Sequence, residues 1–339
     1  MLPLQHQLLH PNRATHAHFA CNGNRLVTAS GTVSNSEGQV FQWGTANGQQ
    51  ICGPIADDSL LCVEALDESR FATGNMTGDV RVYEVGSDQP IHEFSFKQPV
   101  FGISNNPTRE DFLIVSGKTV WRQSFDDQPA ELLAKCKREP ALCVSPDGQS
   151  IGIYFGVTLQ VVDVDTGADV CDPAKHKLKV SCSCWVSSSS VVTGSDDGFV
   201  RLYDVADAEF RKEAIELTGW IKSLDVCHQS GQLLVTVETK GKPRRGLAQC
   251  FDASSLSPKS PEFAHDQLVT HGSLDASGGL IATASADKTV AVWNSETGEQ
   301  LASLPHSGTV YQASLHSSGQ LVTRSSDVVN LWDISSVVG

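Results

Sequence analysis

Few side chains in this sequence are placed to do chemistry, and their spacing argues against most of them. His16 and His18 are two residues apart, so in an extended strand they share one face and could hold a metal ion, with His6 or His10 nearby. A zinc site needs three or four ligands, and no thiolate or carboxylate accompanies this pair, so no metal is expected. Asp196-Asp197 would make an acid pair, but it falls at a turn that recurs along the chain and is assigned to structure. The ten cysteines form no Cys-x-x-Cys pair. Cys182 and Cys184 share one face of a strand and cannot bridge to each other without distorting it, so reduced, buried thiols are expected. Nucleophile-elbow, phosphate-loop and metalloprotease signatures are all absent. No catalytic residue and no cofactor are therefore assigned.

The positive charges are more informative. The chain carries 25 Lys and Arg against 39 Asp and Glu, a net charge of −14. Such a chain repels phosphate backbones, and direct nucleic-acid binding is not expected. Within it, Lys240, Lys242, Arg244 and Arg245 crowd into the segment Glu238–Gly246, with Trp220 nearby in sequence. A tryptophan beside arginines is the composition of an interface hot spot. The chemistry expected there is the docking of an acidic or phosphorylated segment of a protein partner, with Arg244 and Arg245 as bidentate donors and Trp220 as apolar anchor. A second, polar loop, Gly31–Gly38, is the other candidate surface, and Lys135–Arg138 reads as a charged turn.

These groups need a scaffold, and the sequence repeats one. A β-rich run ending in Thr-Gly/Ala-Ser, an Asp/Gly turn and a strand closing on an aromatic residue recur, most clearly over residues 191–204 and 281–294. Eight units align on Trp43, Tyr83, Trp121, Val162, Tyr203, Phe251, Trp293 and Trp332, about 41 residues apart on average, with the longest gap in unit six. That period is expected of a four-stranded propeller blade. In unit five the strands are placed at Val180–Val186, Ser190–Ser195 and Phe199–Val205, with the outer one within Glu213–Thr218. The last unit stops after three strands, and Leu4–Leu9 has the pattern of the missing fourth. The expected fold is all-β, a closed propeller of four-stranded antiparallel blades spanning residues 1–339 as a single domain. Eight blades are expected, with seven as the alternative, and the N-terminal strand completes the last one.

The repeats resemble the WD-repeat family of propellers over about residues 4–335. The resemblance implies structural tetrads that staple neighbouring strands: His265, Ser285, Asp287 and Trp293 in unit seven, and His176, Ser195 and Asp197 with Tyr203 replacing Trp in unit five. No unit carries the family's Gly-His dipeptide, and units three and four lack the turn Asp. The resemblance also implies docking on the face that bears the fourth-to-first and second-to-third strand loops, where unit six has its excess residues.

The function expected is that of a non-catalytic scaffold or adaptor subunit of a multiprotein complex. A receptor for a short acidic or modified peptide at the channel mouth, and an enzyme with its active site there, are the alternatives. With no apolar stretch long enough to span a bilayer and no charged leader before an apolar run, no membrane association is expected, and the cytoplasm or nucleus is the expected location.

Overall fold

Alternating apolar residues between Gly- and Asp-bearing turns favour short strands, and the computed structural model contains thirty-two of them in eight four-stranded antiparallel sheets. It describes residues 2–32, 35–57, 59–126, 128–242 and 244–336, and no helix occurs among these residues. In seven of the sheets the four strands follow one another as hairpins. The first strands of consecutive sheets pack against each other around a ring: Val180–Ser187 on Gly219–Cys227, that strand on Val269–Leu274, and the last on Val310–His316. They are therefore the inner strands.

The ring closes by pairing its two ends. Leu4–Leu9 runs antiparallel to Val328–Asp333, so the eighth blade takes its outer strand from the chain's start. Leu8 is buried and packs against Val322 and Val329 of blade eight and against Ala14, Phe41 and Trp43 of blade one. The core is a series of such apolar layers between adjacent sheets. Between blades five and six, Val192, Val200 and Leu202 meet Ile221, Leu233 and Val235. Second strands such as Ser190–Ser195 and Leu280–Ser285 are buried at every residue, which explains why they read as continuous β-branched and small runs rather than as alternation.

Three details differ from the sequence reading. In blade three the closing position belongs to Gln123, not Trp121. Gln123 lies opposite Phe112 as Trp293 lies opposite Ile281, whereas Trp121 faces Ile114. The aromatic residue drew the alignment two positions short. Gln123 is buried and donates to the carbonyls of Ser124 and Gln128, while Trp121 leans on Phe96 and donates to Thr119 Oγ1 at 2.7 Å. In blade five the outer strand begins earlier, at Glu209, because Asp204 already pairs with it. In blade six the extra residues lengthen the strands themselves, to Gly219–Cys227 and Gln232–Thr239.

Candidate functional site

The lengthened strands decide the geometry of the basic segment. Blade five's first hairpin ends at the pair Val180 and Ser195, followed by a bulge. Its counterpart in blade six is Ile221 and Val237, and two further pairs continue beyond it, Trp220 with Glu238 and Gly219 with Thr239. The hairpin thus projects past its neighbour. Its base is tight: a Cβ on Gly219 would lie 2.2 Å from Glu238 O, and one on Gly246 would lie 2.2 Å from Val269 N of blade seven. Only glycine fits at either place, and the two contacts fix the hairpin against its surroundings.

On this support Trp220 is half-buried, and Lys240, Lys242, Arg244 and Arg245 are all exposed. The Arg244 guanidinium carbon lies 5.0 Å from the Trp220 ring centroid, and Lys240 Nζ lies 5.8 Å from it. Both are cation–π distances, worth about 0.5–1 kcal/mol each at an exposed site. Beneath them Glu238, largely buried, accepts from Arg244 Nη1 at 3.1 Å and sits 3.6 Å from Lys222 Nζ. Arg244 is therefore already engaged and works as a brace over the indole. Lys240, Lys242 and Arg245 form no ion pair among the described residues, so these three cations face solvent uncompensated. The structure thus brings Trp220, Lys240 and Arg244 together and shifts the free donor role from Arg244 to the others. Of the other candidate surface, Gly31–Gly38, residues 33 and 34 and the side chains of 32–37 lie outside the described residues.

The tetrad positions also resolve. In blade seven His265 Nε2 is 2.7 Å from Thr283 Oγ1, Trp293 Nε1 donates to the same hydroxyl at 2.8 Å, and His265 Nδ1 is 2.8 Å from Asp287 Oδ2. The joining hydroxyl is that of Thr283; Ser285, two residues on, instead donates to Gln267 O and accepts from Asp287 N. Burial pushes the Asp287 carboxyl up, but hydrogen bonds from Thr289 and His265 outweigh it and hold the group below its usual range. In blade five no such relay forms. Arg201 donates to His176 Nδ1 at 3.2 Å and pairs with Asp197, Ser195 turns to Leu178 O, and the Tyr203 hydroxyl reaches Asp172 O at 2.8 Å.

Two relays escaped the sequence reading, His10–Thr28–Trp43 and His306–Thr323–Trp332, with all four polar contacts between 2.7 and 2.9 Å. The signal was present: a histidine 17 or 18 residues ahead of the threonine of Thr-x-Ser. In blade two the buried carboxylate of Asp57 takes the histidine's place, accepting from Thr73, Asn75 and Arg81. Replacing Thr283 with Val should leave His265 Nε2 and Trp293 Nε1 buried without a partner, at about 1–3 kcal/mol each. Thermal melts of Thr283→Val should show a clear drop in Tm, and an unchanged Tm would deny the relay a stabilising role.

On the inner strands of blades four and five lie three of the ten thiols, Cys143, Cys182 and Cys184. Cys143 is 3.1 Å from Ser183 Oγ, and burial pushes Cys143 up to about 11 and Cys182 to about 12. Thiols so raised are protonated and poor nucleophiles. On blade two's inner strand Glu64, raised to about 8 by burial, stands without a hydrogen-bond partner among the described residues. These groups do not form a nucleophile–base pair. His16 and His18 stack with ring centroids 6.2 Å apart, and among the described residues they do not belong to a group of three or more metal-ligating side chains.

The family model described as WD domain, G-beta repeat matches residues 173–204 and 259–294, stretches that include His176 and His265 and end with the third strands Phe199–Asp204 and Thr289–Asn294. The chain is an eight-bladed β-propeller that carries WD repeats over these residues. No curated protein matches it. Among solved structures, the chain is similar to the computationally designed Ika8 protein, with a TM-score of 0.82 at 16% identity over 98% of this chain and 99% of that one. It is also similar to Chaetomium thermophilum Sqt1, with a TM-score of 0.80 at 15% identity over 98% and 100% of the two chains. In that structure Sqt1 is bound to the N-terminus of the ribosomal protein L10.

Proposed function

We propose that this propeller is a non-catalytic scaffold or adaptor subunit, working in the cytoplasm or nucleus, which holds protein partners by its loop-bearing faces. The observation that carries the reading is the projecting blade-six hairpin, where a half-buried tryptophan lies under two cations in a chain of net charge −14. Three uncompensated cations around an apolar shelf suit an acidic or phosphorylated protein segment. Steering comes from the local charge, because the acidic remainder is screened beyond about 8 Å at physiological ionic strength. The relative Sqt1, bound to a segment of another protein, supports the class of partner and says nothing of its identity.

Affinity purification of the tagged chain identifies the partners, and the variant Lys240→Ser/Lys242→Ser/Arg244→Ser/Arg245→Ser tests the site. Loss of one buried charged contact weakens binding by about 1–3 kcal/mol, enough to deplete at least one partner from the recovered set. Undiminished recovery of every partner would discard the blade-six reading, and a chain recovered alone would count against scaffolding altogether.

A further inference from the structure

Seven of the twelve arginines, Arg244 among them, pair with a carboxylate among the described residues. Arg70, Arg81, Arg109, Arg122, Arg201 and Arg211 each pair with at least one carboxylate. At the seam where the ring closes, two do not. Arg13, just before the inner strand of blade one, lies with its guanidinium carbon 4.5 Å from the ring centroid of Tyr311 on blade eight's inner strand, and Arg324 of blade eight lies 5.7 Å from the same centroid. Neither forms an ion pair with any described residue, Asp327 of the adjoining turn included. Arg324 is the more enclosed: it donates to Ala14 O at 2.9 Å and to Gln312 Oε1 at 3.2 Å, which spans the two blades and fixes its orientation.

The inner strands on both sides add imidazoles. His16 and His18 of blade one and His271 of blade seven all feel the charge of Arg324. His271 Nδ1 donates to Ala313 O at 2.9 Å, which makes its Nε2 an acceptor and leaves it no part in holding an anion, whereas His18 has no hydrogen-bond partner among the described residues. Burial, reinforced by Arg13, lowers Arg324 to about 10, so it stays charged at neutral pH. A partly buried cation beside a second cation, with no carboxylate to offset either, is costly in the free protein. Two guanidiniums pre-set against one ring, with the neutral His18 imidazole on the adjoining inner strand as a further donor, form a cradle for a compact, multiply charged oxyanion.

We infer that the seam between blades eight and one binds a phosphate group, gripped by Arg13 and Arg324 with His18 as a further donor. The site lies two blades from the blade-six hairpin and stands independently of it. The phosphate comes either as a free ion or on a phosphorylated side chain.

Titration calorimetry on the full chain, in phosphate-free buffer at matched ionic strength, tests this with inorganic phosphate, a phosphoserine peptide of otherwise neutral composition and its unphosphorylated form. The expected result is one-to-one binding of a phosphorylated probe, about tenfold or more weaker in Arg13→Gln, and no binding of the unphosphorylated peptide. Arg13 is exposed, so its variant should fold; Arg324→Gln is read only after its melt shows a folded chain. The same phosphorylated probe should raise the wild-type Tm and leave that of Arg13→Gln unchanged. A peptide tighter than the free ion marks a modified protein as the source, and the reverse marks free phosphate; both support the site. Absence of binding by either probe, unchanged affinity in Arg13→Gln, or affinity lost only in the blade-six quadruple Ser variant would overturn it.

Discussion

A chain lacking residues 2–9 is expected to lose the cooperative melt of the full-length protein and to associate in solution. The deleted strand supplies the outer strand of blade eight, so its loss bares the backbone edge of Val328–Asp333. Unpaired edges recruit other chains. It also removes Leu8, which is 3% exposed at the joint between blades eight and one. Leu8→Ala alone should cost about 2–5 kcal/mol, a large part of the stability of an ordinary domain. Circular dichroism melts and size-exclusion chromatography read both effects. A truncated chain that remains monomeric and melts within a few degrees of the intact one would show that the ring does not depend on its zipper.

The second large effect is loss of stability in mild acid. Burial lowers His16 to about 3, helped by His18 and Arg324; burial with Arg324 lowers His18 to about 4; and burial with Arg201, against the opposing Asp197, lowers His176 to about 4. Each is neutral in the folded chain and takes up its proton near pH 6.5 once unfolded. Below that pH the unfolded state binds more protons, so stability is complete above about 6.5 and falls as the pH drops towards 4. A fully buried imidazole contributes about 1.4 kcal/mol per pH unit in that window. His176, 7% exposed and with its Nε2 unpartnered, should come nearest to this, and His16 and His18, half-buried on the inner strand of blade one, should contribute less. Melts in phosphate-free buffers from pH 7.5 to 4.5 should show Tm falling steadily below 6.5, with a shallower fall in His176→Asn. A flat Tm between pH 6.5 and 5 would sink the account.

How much of this was legible depends on the kind of information each feature needs. The blade period, the turn residues and the missing fourth strand of the last unit are local, and they identified the fold, the blade count and the partner of Leu4–Leu9. Trp293 and Tyr203 marked their strands correctly because an aromatic residue closes the third strand in most blades. Trp121 misled for the same reason: register is set by which residue lies across the ladder, and a tryptophan two places short still matches the local pattern. The relays of His10 and His306 were legible as a spacing, yet Thr283 and Ser285 could not be told apart, because which hydroxyl meets the histidine depends on which face of the strand each one occupies.

The sequence by itself determined that the chain would fold as repeated β-hairpin units, that its ends would meet, and that its positive charge would gather in blade six. It did so because side-chain alternation, turn chemistry and repeat length are properties of neighbours along the chain. Only the tertiary structure decided that Arg244 is braced by Glu238 over Trp220, that Arg201 displaces the relay of blade five, and that Arg13 and Arg324, hundreds of positions apart, flank one tyrosine. Electrostatic pairing acts through space, and a ring brings its most distant residues together where it closes.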